Sequence, residues 1–72
     1  MARIVANPGI LGGKPIVEGT RLSVEHILGL LASGMSNQDI GADYPDLTEE
    51  SIHAVLTYAA RVLQNEIIVD VP

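Results

Sequence analysis

The side chains best suited to acid–base or metal chemistry in this sequence are two histidines, His26 and His53, and cysteine is absent. Neither histidine has a second histidine or a carboxylate four residues further along, which is the helical spacing of a common type of zinc site. No nucleophile–base pair stands out, and so short a chain offers little volume for a concave active site. We therefore expect no metal, no cofactor and no small-molecule substrate, and we expect that the protein is not an enzyme.

A glycine-rich segment, Gly9-Ile-Leu-Gly-Gly-Lys14, invites comparison with a phosphate-binding loop. Its spacing is one residue short of that motif. Pro15 also occupies the position of the serine or threonine that would bind Mg²⁺. We interpret these glycines as residues that permit positive φ angles in a tight arm.

The distribution of charge places the candidates for phosphate contact near the N-terminus. Three of the four basic residues are Arg3, Lys14 and Arg21. From position 23 onward the sequence contains eight carboxylates and one basic residue, Arg61. A net charge of −5 argues against nonspecific binding to nucleic acid. Arg3, Lys14 and Arg21 remain candidates for binding DNA. For Arg21 an internal ion pair with Glu18 or Glu25 is an equally open interpretation.

The composition predicts a small domain that requires a partner to bury all of its apolar surface. A chain of 72 residues forms one domain at most, and a domain near this size buries only about 60% of its unfolded surface. Hydrophobic residues nevertheless make up 47% of the chain. We expect partner-assisted burial, first of all a homodimer. No signal peptide and no membrane-spanning apolar run is visible, so we expect a cytoplasmic protein with no contact to the membrane.

Turn residues and apolar spacing divide the chain into three parts within one domain, residues 1–72. Residues 1–22 are a glycine-punctuated β/turn arm with short strands expected at 3–6 and 16–17. Residues 23–65 predict three helices, with N-caps at Ser23, Ser36 and Thr48. Gly34 ends the first helix and Pro45 the second. Residues 66–72 form a strand-like tail.

This order predicts a mostly α fold, a trihelical helix-turn-helix of the homeodomain-like or winged-helix-like kind, with a short N-terminal β-arm and a C-terminal strand. The third helix is expected to run to about residue 65. Its apolar stripe is predicted to consist of Ile52, Val55, Leu56, Ala59 and Leu63, widened by Val62.

Two further groups of residues are candidate binding sites. The third helix opens with Glu49 and Glu50, which we interpret as stabilising the helix start instead of reading DNA. Polar groups better suited to phosphates or base edges lie on the second helix, at Ser36, Asn37 and Gln38. Partner binding is assigned to one residue of the third helix and to the apolar tail: Tyr58, Ile67, Ile68, Val69 and Val71. The tail could pair with the N-terminal strand, with a dimer mate or with another protein.

These residues carry a resemblance to a bacterial family known as domain of unknown function 433. The resemblance lies in the segment from Ile10 to Val24, in the Tyr44-Pro-Asp-Leu-Thr48 segment and in apolar positions as far as about residue 63. Its motif positions are Gly12, Gly13, Lys14, Pro15, Gly19, Thr20, Arg21 and Pro45.

That family is similar to VapB antitoxins, whose partners are PIN-like ribonuclease toxins. The resemblance implies a dimeric helix-turn-helix protein that acts in a bacterial type II toxin–antitoxin system. It would neutralise such a toxin by protein–protein interaction and bind operator DNA at its own promoter. The alternative is a stand-alone DNA-binding transcriptional regulator, which the acidic composition disfavours.

Overall fold

The computed structural model describes residues 2–64 of the chain. These residues form two strands, β1 (Ile4–Ala6) and β2 (Pro15–Val17), and three helices, α1 (Val24–Ala32), α2 (Asn37–Asp43) and α3 (Glu49–Leu63). The protein is therefore mostly helical with a short β-arm, as the sequence predicted. The predicted C-terminal strand at 66–72 lies outside the described residues.

The arm is an antiparallel hairpin in which Val5 pairs with Ile16. Glu18 N–H donates to the carbonyl of Arg3 at 2.8 Å and extends the pairing beyond the strands. On the other side of β2, Val17 N–H donates to the carbonyl of Leu22 at 3.1 Å. The chain therefore folds back along β2 immediately before α1 begins.

Helix α1 has the predicted start and end. The hydroxyl oxygen of Ser23 accepts a hydrogen bond from His26 N–H at 3.0 Å, which satisfies one of the free N–H groups of the first turn. Gly34 follows the helix with a φ of 99°, a left-handed conformation that residues with a Cβ rarely adopt.

Helices α2 and α3 each begin with a reciprocal capping box. In α2 the predicted cap Ser36 is paired with Asp39, and each side chain accepts a hydrogen bond from the other residue's backbone N–H. In α3 the predicted cap Thr48 is paired with Ser51 in the same way. Pro45 follows α2 as predicted, and α3 ends at Leu63, close to the predicted end.

The hydrophobic core collects aliphatic side chains from the arm, from all three helices and from the connection between α2 and α3. Val17, Val24, Ile27, Ile40, Leu47, Ile52 and Val55 are each at most 5% exposed. Because these side chains come from every part of residues 17–55, the arm is attached to the helices by packing as well as by the chain.

The predicted apolar stripe of α3 is wrong in its second half. Ile52 and Val55 are buried, but Leu56, Val62 and Leu63 are 45%, 42% and 66% exposed. Helix α3 has 15 residues and its neighbour α1 has only nine, so the described chain does not cover the apolar stripe along its full length. Large apolar side chains on the second half of α3 consequently face solvent.

Candidate functional site

A tight turn between β2 and α1 positions Arg21. Thr20 N–H and Thr20 Oγ1 both donate to the carbonyl of Val17, at 3.0 and 2.8 Å, and Thr20 Oγ1 accepts from Leu22 N–H at 3.1 Å. Gly19 takes a φ of 85° within this turn. The glycine and the threonine therefore fix the backbone on both sides of Arg21, while the Arg21 side chain remains exposed.

A second turn positions Lys14. Residues Leu11, Gly12 and Gly13 have φ angles of 50°, 67° and 87°, so three consecutive residues are left-handed. The prediction of positive φ at the paired glycines is confirmed, but the left-handed Leu11 was not expected, since leucine adopts this conformation at a cost of about 1–2 kcal/mol. The turn ends at Lys14, directly before β2.

Lys14 and Arg21 lie at one concavity, which we call the arm pocket. It has a volume of about 410 Å³ and is lined by Leu11, Lys14, Arg21, Leu22, Ser23 and His26. Sequence reasoning proposed Lys14 and Arg21 as neighbours in function, and the structure brings them together. His26 was not among the candidate binding residues predicted from the sequence, because no spacing rule connects residue 26 to the arm.

Ion pairs differ among the three predicted DNA-binding cations. Arg3 lies 3.9 Å from a carboxylate oxygen of Glu18, and Lys14 lies 3.5 Å from one of Glu25. The two carboxylates considered as partners of Arg21 are thus engaged by other cations. Within residues 2–64, Arg21 makes no ion pair, so its charge faces solvent beside the pocket.

The α2 candidates lie apart from the arm pocket. Ser36 Oγ accepts the backbone N–H of Asp39, and an Asp39 carboxylate oxygen accepts the N–H of Ser36 at 3.1 Å. Hydrogen bonds from the backbone and the side chain of Ser36 lower the pKa of Asp39 below its usual value. The start of α2 therefore already holds a carboxylate, which disfavours phosphate contact at Asn37 and Gln38.

The acidic start of α3 is exposed at Glu49 and Glu50, in the first turn of the helix. Carboxylates at this position stabilise the positive end of the helix dipole, as predicted from the sequence. They also put negative charge where a recognition helix would meet DNA phosphates.

A second concavity, the α1–α3 groove, has a volume of about 410 Å³ and runs between the two helices. Its lining is almost entirely apolar, with Lys14, Ser23 and Glu25 as its polar members. The apolar lining consists of Pro15, Val24, Leu28, Tyr58, Ala59, Val62 and Leu63. Tyr58, the candidate partner-binding residue of α3, is half-buried in this wall. The other candidates, Ile67, Ile68, Val69 and Val71, lie outside the described residues.

The described part of the chain shows neither a cluster of metal-ligating side chains nor a helix that could span a membrane. Between residues 2 and 64, no three side chains of histidine, aspartate or glutamate come together as metal ligands would. None of the three helices is long and apolar enough to cross a bilayer.

The model of one protein family matches residues 4–59, and its description is "Protein of unknown function (DUF433)". The chain belongs to this family. It is also 36% identical over 56 residues to an uncharacterized protein, y4eO, of Sinorhizobium fredii (strain NBRC 101917 / NGR234). That match covers 78% of this chain but 25% of the relative, so the chain spans about a quarter of the relative's length. No solved structure gives a significant match.

Proposed function

We propose that this DUF433 protein is an antitoxin-like binding module that neutralises a PIN-like ribonuclease by covering part of its surface. The observation that carries the proposal is the apolar second half of α3. Val62 and Leu63 are exposed and border the α1–α3 groove. An exposed apolar patch of this kind is typical of a protein–protein interface.

The groove suits a protein segment better than a small polar ligand. Leu28 of α1 and Ala59 and Val62 of α3 supply apolar area on both walls, so an apolar side chain inserted between the helices would lose contact with water on two sides. Among the described residues, the charged groups of the groove are those of Lys14 and Glu25, which pair with each other across 3.5 Å. This arrangement is an apolar centre with a polar rim, as in stable interfaces.

Charge favours a basic partner. The chain carries a net charge of −5, and Glu49 and Glu50 are exposed on the same helix that forms the groove. A ribonuclease that binds RNA presents a basic groove, and carboxylates compete with RNA phosphates for such a surface. Ribonuclease inhibition follows if the acidic protein occupies the groove that RNA would enter.

The same proposal includes a helix-turn-helix fold, a homodimer and a cytoplasmic location. The order of three helices, with a five-residue connection at 44–48 before α3, is compatible with a trihelical helix-turn-helix. A homodimer in the cytoplasm would present each groove twice and bury more of the small core's exposed surface. Mass measurement in solution tests the dimer independently of the partner.

The experiment is co-purification with the product of the adjacent gene, if that gene encodes a PIN-like protein. We expect one complex on gel filtration and loss of RNA cleavage when this chain is added. An unrelated ribonuclease, treated in the same way, should retain its activity. Separate elution with RNA cleavage intact would contradict the proposal.

A stand-alone DNA-binding regulator is the second candidate, and it is favoured by Arg21, which makes no ion pair within residues 2–64 and lines the arm pocket together with Lys14. It predicts sequence-specific binding to DNA upstream of the gene, with steep salt dependence. The acidic start of α3 counts against it, because a helix that reads bases normally presents basic or amide side chains there.

A further inference from the structure

We propose that the arm pocket binds a phosphate group, carried by a nucleic acid strand or by a free nucleotide. This site adjoins the α1–α3 groove, with which it shares Lys14 and Ser23, but Arg21 and His26 line the arm pocket and not the groove. The ligand would be held by Arg21, Lys14 and His26, which come from three different parts of the chain and line one concavity.

Arg21 is the principal group. A guanidinium presents several N–H donors in a planar fork that matches the oxygens of a phosphate. Arg21 makes no ion pair within the described residues, so a ligand need not displace a carboxylate from it. The turn that holds Arg21 is fixed by hydrogen bonds of Thr20 on both sides, which reduces the entropy lost on binding.

Lys14 is able to join Arg21 at little cost. Its pair with Glu25 is exposed on both sides, with 59% and 79% of the side chains accessible. Pairs of this kind are weak, so the ammonium group is free to turn from Glu25 to a phosphate oxygen. Glu25 itself does not line the arm pocket.

The α1 end of the pocket adds two favourable features. Ser23 caps the first turn of α1 and accepts the N–H of His26, while the N–H groups of Val24 and Glu25 lack helical acceptors and favour an anion. His26 Nε2 lies 3.1 Å from Tyr44 Oη, and when the tyrosine hydroxyl donates to Nε2, Nδ1 carries the ring N–H that would donate to a phosphate oxygen.

The remaining lining explains why the ligand is a nucleotide phosphate instead of a bare inorganic ion. Leu11 and Leu22 give the pocket apolar walls, and its volume of about 410 Å³ exceeds that of a phosphate. A phosphate bound to Arg21 would place an attached sugar against these leucines. Leu11 is 49% exposed without such a ligand, so contact with a sugar would remove apolar surface from water.

The test compares Arg21→Gln with Arg61→Gln, which removes the same charge from an arginine of α3 outside the pocket. The probes are a labelled duplex from the region upstream of the gene, followed by fluorescence anisotropy, and AMP, followed by NMR shifts of His26 and the Arg21 side chain. We expect at least one probe to bind, with affinity reduced roughly tenfold or more by Arg21→Gln and about twofold or less by Arg61→Gln.

Binding of the duplex identifies a nucleic acid strand as the source of the phosphate, and binding of AMP alone identifies a free nucleotide. Absence of binding by both probes at low salt would overturn the proposal, as would equal losses in the two variants, which indicate general electrostatic attraction. Partner binding is measured on the same variants. Since Arg21 does not line the α1–α3 groove, the two proposals fail independently.

Discussion

His26 Nε2 and Tyr44 Oη lie 3.1 Å apart, and the two rings meet edge to face with their centres 5.8 Å from one another. This contact joins the first turn of α1 to the end of α2. The hydrogen bond is exposed, whereas the ring of Tyr44 is half-buried and packs against the core. The ring therefore stabilises the fold more than the hydroxyl group does.

Two variants of Tyr44 separate these contributions. Tyr44→Phe keeps the ring and should lower the free energy of unfolding by less than about 1 kcal/mol, since exposed hydrogen bonds contribute little. Tyr44→Ala removes the ring and should cost about 2 kcal/mol or more. Urea denaturation measures both. Equal losses in the two variants would show that the ring packing is unimportant.

Alanine substitutions at Gly29, within α1, and at Gly34, just after its C-terminal end, should change the stability of the protein in opposite directions. A Cβ added at Gly29 or at Gly34 meets no atom within 4 Å, so the backbone alone decides the outcome. Gly29 is helical, and Gly29→Ala should stabilise the protein by about 0.5–1 kcal/mol. Gly34 has a φ of 99°, and Gly34→Ala should destabilise by about 1 kcal/mol. Thermal denaturation of both variants tests the sign; stabilisation by Gly34→Ala would contradict the left-handed helix end.

Substitution of Thr48 should reveal how much the capping box of α3 contributes to the free energy of unfolding. Thr48 Oγ1 accepts the backbone N–H of Ser51 at 3.1 Å, and Thr48→Ala leaves that donor without its partner. We expect a loss of about 1 kcal/mol in the free energy of unfolding. Thr57→Ala makes the same chemical change inside α3 and should alter stability by no more than about 0.5 kcal/mol. Similar losses in both would mean that the cap contributes nothing specific.

The capping carboxylate of Asp39 predicts a dependence of stability on pH. Hydrogen bonds from the backbone and side chain of Ser36 lower the pKa of Asp39 in the folded state below its usual value. Its contribution is therefore fully present above about pH 4 and is lost as the pH falls through the lower, folded value. The difference in melting temperature between the wild type and Asp39→Ala should be constant from pH 7 to about pH 5 and shrink below about pH 4. A difference that stays constant into strong acid would contradict this assignment.

The sequence predicted the local structure well because its signals are local. Ser23, Ser36 and Thr48 cap the three helices as expected, and Gly34 ends α1. Each of these features depends on a few neighbouring residues and on backbone sterics. The strands of the arm were also placed within one residue, since Pro8 and Gly9 follow the first strand closely and Gly13 and Gly19 lie on either side of the second.

The tertiary features were harder to predict because they depend on which elements meet. The periodicity of α3 placed Leu56, Val62 and Leu63 in the same apolar stripe as Ile52. Only the side chains of the stripe that face α1 and α2 are buried. The choice of carboxylate for each cation was likewise open in the sequence. Folding places Glu18 beside Arg3 and Glu25 beside Lys14, and Arg21 is left without a partner in the described residues.

The central claim is that the α1–α3 groove binds a ribonuclease partner, and Val62 tests it most directly. Val62 lines the groove and is 42% exposed, so Val62→Glu should leave the fold intact while placing a charge in the interface. His53→Glu is the matched control, because it adds the same side chain to an exposed position of α3 outside the groove.

The measurement is the affinity for the PIN-like protein encoded by the adjacent gene, determined by calorimetry for the wild type and the two variants. We expect Val62→Glu to weaken binding by roughly tenfold or more, since a buried unpaired charge is costly. His53→Glu should stay within about threefold of the wild type. Wild-type affinity retained by a folded Val62→Glu protein, or no binding by the wild type itself, would contradict the claim.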